Sequence, residues 1–203
     1  MKDKNTIIII DMVLIIVAMA LAIFFAILVS ENKEENNKNS NLNFITEEVS
    51  VNIDDTLMEE YVGDELGISF KYYNDLTKFS ETKEETSIYQ GVAMYQEEGN
   101  EGINVLIGNA PDDITLDSYI NANISAIMDS NNLTKDDIVV IKEGVKLGGV
   151  DAYKVRFKMD DINIYQIATI KGSKEYVVTY SAEDLLYDKQ RAENMFSTFE
   201  FLE

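Results

Sequence analysis

The pattern of hydrophobic and polar positions divides the chain into three parts. Residues 7–29 form one apolar run that only Asp11 interrupts, residues 30–60 are rich in Asn, Glu and Asp, and short apolar runs alternate with turns from residue 61 onward. As an α-helix, the 23 residues of the apolar run reach about 34 Å, enough to cross the roughly 30 Å hydrocarbon core of a bilayer. The pattern therefore predicts a transmembrane anchor, an acidic disordered tether and an outer domain over residues 61–203.

The charges beside the apolar run predict its orientation. Two lysines and the amino terminus precede it, whereas three glutamates and one lysine follow it. The positive-inside rule then places residues 1–6 in the cytoplasm and the chain from residue 30 outside. A cleaved signal peptide is the alternative, because Ala18-Met19-Ala20 and Ala20-Leu21-Ala22 have the small-x-small form of a cleavage site. Cleavage there would leave an exposed apolar amino terminus, so we expect an uncleaved single-pass anchor in the cell membrane.

Within the outer domain, runs of alternating or continuous apolar residues between turn residues predict β-strands. These runs are Gly67–Tyr73, Ser87–Gln96, Ile103–Gly108, Ile138–Leu147, Val150–Met159, Ile162–Lys171 and Glu175–Ser181. Turn residues at 148–149 and 160–161 predict that the last four strands form a meander of antiparallel hairpins.

Helical spacing of apolar residues predicts two helices beside this sheet. Thr115 can cap the first, which ends at residues 131–132. The second opens at Ser181 in the manner of a capping box, with Leu185 and Leu186 on its apolar side. The predicted fold class is therefore α+β, an antiparallel sheet flanked by helices and preceded by one transmembrane helix.

The order of these elements resembles the PsbP-like fold. The resemblance rests on three segments: GISFKYYNDLTKF, GGVDAYKVRF and YQIATIKGSKEYVVTYSAEDLLYDKQRAENMFSTFEF. It covers residues 61–203 and implies an α/β/α sandwich, as in the extrinsic PsbP subunit of photosystem II and many anchored prokaryotic proteins. The shared pattern builds a core and carries no catalytic residue, so the resemblance implies no reaction.

Composition narrows the classes of function. The chain has 17 basic and 37 acidic residues, which give it a net charge of −20. A charge of this sign repels the phosphate backbone of nucleic acid. It has no histidine and no cysteine, which excludes Ser-His, Cys-His and His-zinc chemistry. We expect no cofactor and a non-catalytic binding or assembly module at the cell envelope, with an envelope protein as partner. The alternatives are a cation-dependent sensor domain and a cell-envelope enzyme.

Two acidic pairs are candidates for a metal site. The carboxylates of Asp112, Asp113, Asp136 and Asp137 could bind a divalent cation such as Ca²⁺ if their loops converge. Alternatively, these aspartates occupy turns for local hydrogen-bonding reasons. We expect only nonspecific cation binding here.

One basic stripe is a candidate for partner binding. Lys154, Arg156 and Lys158 alternate with apolar residues on a predicted strand and therefore share one face. They could receive an anionic partner segment, or form a solvated face paired with acids. Asn132-Leu133-Thr134 is in addition an N-x-[ST] sequon, which serves for glycosylation where the host has the machinery.

Overall fold

The structure is a computed structural model that describes residues 54–82, 89–96 and 101–202. The anchor predicted at residues 7–29 and most of the predicted tether lie outside these ranges. Within them, no helix is long and apolar enough to span a bilayer. Residues 113–136 form one compact unit, and the described residues of 43–112 and 137–203 form the other.

The smaller unit contains helix α1, Leu116–Asn131. Its ends confirm the sequence prediction: the Thr115 hydroxyl oxygen accepts a hydrogen bond from the Ser118 N–H at 3.2 Å, and Asn132 ends the helix in the left-handed conformation. The buried residues of α1 are Tyr119, Ile120, Asn123, Ile124, Ala126 and Ile127. A 3-10 helix, Lys135–Asp137, follows in the chain.

The larger unit is built from two antiparallel sheets. Its strands are β1 (Met58–Gly63), β2 (Ile68–Tyr73), β3 (Lys78–Thr82), β4 (Tyr89–Tyr95), β5 (Gly102–Asn109), β6 (Val139–Ile141), β7 (Lys146–Leu147), β8 (Val150–Met159), β9 (Ile162–Lys171), β10 (Lys174–Glu183) and β11 (Glu200–Phe201). In the described part of the chain, the large sheet has the order β3-β4-β5-β10-β9-β8-β6, with β7 paired to β8. The small sheet has the order β1-β2-β11.

The predicted meander is confirmed, with β8 and β9 at their predicted bounds. Asp160 adopts a positive φ of 51° in the two-residue turn between them, the backbone conformation that tight hairpins favour. At the other end of β8, Gly148 has a φ of 53°, and a Cβ there would lie 2.6 Å from the Phe201 ring. Strand β9 is buried continuously from Ile164 to Thr169, as expected for a central strand covered on both faces.

One predicted strand, Ile138–Leu147, divides into β6 and β7. A turn interrupts it, in which the Val145 N–H donates to the Lys142 carbonyl at 3.4 Å and Gly144 has a φ of 72°. The prediction of a single strand was wrong because Gly144 permits a backbone conformation that no strand contains.

The second helix, α2, spans Lys189–Ser197, and its predicted start at Ser181 was wrong. Strand β10 continues to Glu183 because its hydrogen-bonded pairing with β9 extends that far. Asp188 is the actual cap, and its Oδ1 accepts from the Gln190 N–H at 2.8 Å. Leu185 and Leu186, predicted on the apolar side of the helix, lie instead in the loop between β10 and α2.

Two described elements begin before residue 61, the predicted start of the outer domain. Strand β1 starts at Met58 and pairs with β2 over its whole length, after a 3-10 helix at Asp55–Leu57. The apolar pattern misses β1 because it is an edge strand in an acidic stretch, with Tyr61 as its buried aromatic residue.

The small sheet and α2 pack on one face of the large sheet. Phe196 of α2 contacts Tyr165 of β9 edge-on, with ring centroids 5.4 Å apart. Phe201 of β11 contacts Tyr176 of β10, with ring centroids 4.8 Å apart. Tyr176 belongs to the continuous hydrophobic core, and Phe201 packs against that core. The described residues thus form a sheet-rich α+β fold with antiparallel sheets and two helices.

Candidate functional site

The four candidate aspartates are exposed in the structure. Asp112 and Asp113 stand in a turn before α1, where Asp113 has a positive φ of 61°. Asp136 and Asp137 belong to the 3-10 helix that follows α1. Among the described residues, no group of three or more His, Cys, Asp or Glu side chains is placed to hold a metal ion.

The candidate basic stripe lies on the face of β8 that α2 covers. Lys154 and Arg156 are only partly exposed, whereas Lys158 is exposed near the end of the strand. The stripe therefore begins at partly buried residues and ends at the surface, so its three side chains have different surroundings.

Lys154 makes a largely buried ion pair with Glu193 of α2. Its Nζ lies 2.5 Å from Glu193 Oε2, and the two side chains are 17% and 7% exposed. The Tyr165 hydroxyl donates a hydrogen bond to Glu193 Oε1, so both carboxylate oxygens have a partner. Such pairing offsets the desolvation of a charge that would otherwise be costly to bury.

Arg156 extends this cluster around the same aromatic ring. Its guanidinium carbon lies 5.8 Å from the centroid of the Tyr165 ring, and Lys154 Nζ lies 5.9 Å from it. Two cations of β8 thus lie close to one ring of β9, where the ring quadrupole attracts positive charge.

A second buried carboxylate, Glu101, lies just before β5. Its Oε1 accepts a hydrogen bond from the Tyr180 hydroxyl at 2.8 Å and lies 2.8 Å from Arg191 Nε of α2. Arg191 Nη2 donates to Asp75 Oδ1 at 2.7 Å, and its guanidinium lies 4.0 Å over the Tyr73 ring. Burial, reinforced by the Glu101 carboxylate, raises the pKa of Tyr180, so this hydroxyl keeps its proton.

Helix α2 is thus attached to the two sheets by polar contacts as well as by its apolar side. Besides Arg191 and Glu193, Asn194 contributes, because its Nδ2 donates to the Tyr73 hydroxyl at 2.8 Å. Sequence reasoning missed Glu193 and Arg191. The available signal was spacing: Glu193 precedes Phe196 by three residues and therefore lies on the same helix side.

Lys158, at the exposed end of the stripe, orders a loop. Its Nζ lies 2.5 Å from Asp184 Oδ2, and Asn163 Nδ2 donates to Asp184 Oδ1 at 2.6 Å. The hydrogen bonds from Lys158 and Asn163 lower the pKa of Asp184. The arrangement holds the segment after β10 against the turn between β8 and β9.

No protein-family model matches the chain, and no curated protein matches it. Solved structures that are similar to it include the solution structure of cyanobacterial PsbP (CyanoP) from Synechocystis sp. PCC 6803. The sequence identity is 16% over 77% of this chain and 98% of that chain, with a TM-score of 0.49. A crystal structure from Bacteroides thetaiotaomicron VPI-5482 is 13% identical over 72% of this chain, with a TM-score of 0.43, and the present chain covers 49% of its length. The structural neighbours thus include a PsbP protein.

Proposed function

We propose that this protein is a non-catalytic binding or assembly module anchored at the cell envelope. In this proposal, residues 7–29 cross the membrane once, residues 1–6 lie in the cytoplasm and the folded domain lies outside. The length of the apolar run and the charges that flank it support the anchor and its orientation.

One observation carries the non-catalytic part of the proposal: two buried carboxylates, Glu193 and Glu101, hold the fold together. Glu193 and Glu101 each accept a hydrogen bond from a tyrosine hydroxyl and pair with a cation. A general acid or base must reach a proton on its substrate. These two carboxylates instead contact side chains at the junction between α2 and the sheets.

The charge of the chain supports a protein partner. A net charge of −20 disfavours binding to nucleic acid and attracts basic protein surfaces. Divalent cations can screen this charge without a specific binding site. We therefore propose an envelope protein with a basic surface as the partner.

Crosslinking in intact membranes tests the binding role. The full-length chain carries a C-terminal affinity tag and is treated with an amine-reactive crosslinker. We expect one discrete protein species, captured equally well when residues 7–29 are exchanged for an unrelated apolar run of the same length. Loss of this species after the exchange, with the domain still folded, would assign binding to the membrane segment and contradict the proposal.

Protease protection tests the topology separately. Protease added to intact spheroplasts should remove the C-terminal tag, and carbonate washing should leave the protein in the membrane fraction. A mature amino terminus directly after Ala20, Ala22 or Ser30 would contradict the uncleaved anchor.

A further inference from the structure

The loop between β10 and α2 exposes two adjacent leucines. The side chain of Leu185 is 97% exposed, and that of Leu186 is 41% exposed. Scattered apolar residues are normal on a protein surface, so exposure alone indicates no function. Two features set these leucines apart from other exposed apolar residues. Hydrogen bonds hold the backbone of their loop in place, and exposed acidic residues lie in the loop and next to it.

Contacts with the neighbouring hairpin hold the start of the loop in place. Lys158 and Asn163 both bind the side chain of Asp184, at 2.5 Å and 2.6 Å. The backbone N–H of Asp184 also donates to the carbonyl of Asp161 at 3.2 Å. The residue before Leu185 is therefore attached through its side chain and its backbone.

Contacts with β10 hold the rest of the loop. The N–H groups of Leu186 and Tyr187 both donate to the Glu183 carbonyl at 2.9 Å. The Tyr180 hydroxyl lies 3.5 Å from both the Leu186 carbonyl and the Asp188 nitrogen. Leu185 thus projects from a backbone that is already ordered, which reduces the entropy lost when a partner binds.

Four exposed aspartates lie in this loop or in the hairpin turn next to it. Asp160, Asp161, Asp184 and Asp188 are all exposed. The Asp161 carbonyl contacts Asp184, and Asp188 ends the same loop. Lys158 neutralises only one of these acids directly. The surface therefore combines an apolar centre with an acidic rim, which complements an apolar socket with a basic rim.

We propose that Leu185, Leu186 and the rim of Asp160, Asp161 and Asp184, together called the leucine tip, form the docking surface for a protein partner with such a socket. This inference rests on the proposed function as a binding module. A membrane containing anionic lipids and a second copy of this acidic chain are both disfavoured occupants, because like charges repel. Lys158 acts as a positioning residue that holds Asp184, and with it the leucines.

Site-directed photocrosslinking tests the tip directly, because the chain has no cysteine of its own. Leu185→Cys and the matched control Leu57→Cys, whose native leucine is 49% exposed, are labelled with a benzophenone maleimide in the full-length protein in intact membranes. We expect position 185 to form an adduct with one protein species, with a yield that falls as NaCl is raised. Position 57 should form no such adduct.

Substitutions then measure the contribution of each part to capture by the amine-reactive crosslinker. Leu185→Asp should lower capture of the same species about tenfold or more, as expected for the central residue of an interface. Leu57→Asp should leave capture unchanged. In the benzophenone-labelled Leu185→Cys protein, Lys158→Met should lower the adduct yield and Lys158→Arg should restore it, because this readout does not use lysine amines. Near-ultraviolet circular dichroism should be unchanged in all four variants.

Each other outcome overturns the proposal in a recognisable way. Lipid adducts at position 185 would make the tip a membrane contact, and adducts between two copies of the chain would make it a self-association surface. Capture that survives Leu185→Asp would place docking elsewhere, while the binding module itself would stand. If neither labelled position nor the amine-reactive crosslinker captures a discrete protein, the proposed function fails as well.

Discussion

Two lysines of β8 make ion pairs with the same chemistry in different surroundings. Lys154 pairs with Glu193 and Lys158 pairs with Asp184, each at 2.5 Å, and both lysines lie on the same face of the strand. The side chains of the first pair are 17% and 7% exposed, and those of the second are 44% and 52% exposed. The covering helix α2 accounts for the difference.

This difference in burial separates two roles. Loss of one partner from a buried pair leaves an uncompensated charge in a medium that solvates it poorly. Solvent screens an exposed pair, which contributes little to stability but can still select a loop conformation. We infer that Lys154 helps to fix the position of α2, whereas Lys158 orders the leucine tip, so the basic stripe is not one functional unit.

Replacement of Glu193 gives the strongest test of the buried pair. Glu193→Ala should lower the free energy of unfolding by about 3–5 kcal/mol, because Lys154 is left charged and buried. Urea unfolding of the detergent-solubilised protein, followed by near-ultraviolet circular dichroism of its tyrosines, measures this change. The triple variant Lys154→Met, Tyr165→Phe, Glu193→Leu should recover most of the loss, because it also removes the buried Tyr165 hydroxyl that donates to Glu193. A loss below about 1 kcal/mol in the single variant would remove the contrast between the two pairs.

Truncation of Phe196 shows how much of the attachment of α2 is apolar. The ring is 3% exposed and packs on Tyr165, so Phe196→Ala should cost about 3–5 kcal/mol in the same unfolding measurement. Phe79→Ala is the matched control, because that ring is 55% exposed and its loss should cost about 0.5 kcal/mol or less. Equal losses in the two variants would mean that α2 is held chiefly by its polar contacts.

Alkaline pH tests the second buried cluster. Burial and Glu101 raise the pKa of Tyr180, so the folded protein keeps this proton at pH values where the unfolded chain loses it. The resulting stability is fully present below the ordinary tyrosine pKa of about 10 and is lost as pH rises through the folded pKa. The urea midpoint should therefore fall above about pH 10, and less steeply in Tyr180→Phe. An unchanged slope in that variant would assign the alkaline response to other tyrosines.

Removal of Lys158 should show how little the exposed pair stabilises the fold. Lys158→Met should leave the urea midpoint nearly unchanged, because solvent already screens the charge of Asp184. The pKa of Asp184, read from its carboxyl chemical shift by NMR, should rise toward its ordinary value of 3.8. A large loss of stability would mean that the loop is part of the folding core.

Calcium should have the smallest specific effect, because the acidic pairs at 112–113 and 136–137 are exposed. CaCl₂ should raise the melting temperature no more than NaCl does once screening is saturated. Changing Asp136 and Asp137 to Asn should not alter the response to calcium. Saturable stabilisation by calcium in high salt, lost in that variant, would favour the cation-dependent alternative instead.

Local signals predicted some elements closely. Helix α1 carries both a Thr115 cap and an Asn132 end, and each acts through hydrogen bonds within a few residues. Strands β8 and β9 have a clear pattern and a two-residue turn between them, so their bounds follow from the sequence. Strand β1 lacks such a signal, because its position depends on pairing with β2.

The candidate site was predicted only in part, because a sequence pattern reports on near neighbours and this site joins residues that are far apart in the chain. Alternation correctly placed Lys154, Arg156 and Lys158 on one face of a strand. It could not identify Glu193, which is 39 residues further along the chain from Lys154. The capping box at Ser181 was a real local signal, but the strand pairing of β10 outweighed it.

The sequence by itself determined what depends on near neighbours: the hairpins of the meander, the ends of α1, the acidic charge and the absence of histidine and cysteine. Only the tertiary structure decided which charges are buried, that Leu185 is exposed and that α2 begins at Lys189. The reason is that burial depends on which distant segment covers a residue. A lysine on a strand has the same local pattern whether a helix or water lies above it, and only the folded chain distinguishes Lys154 from Lys158.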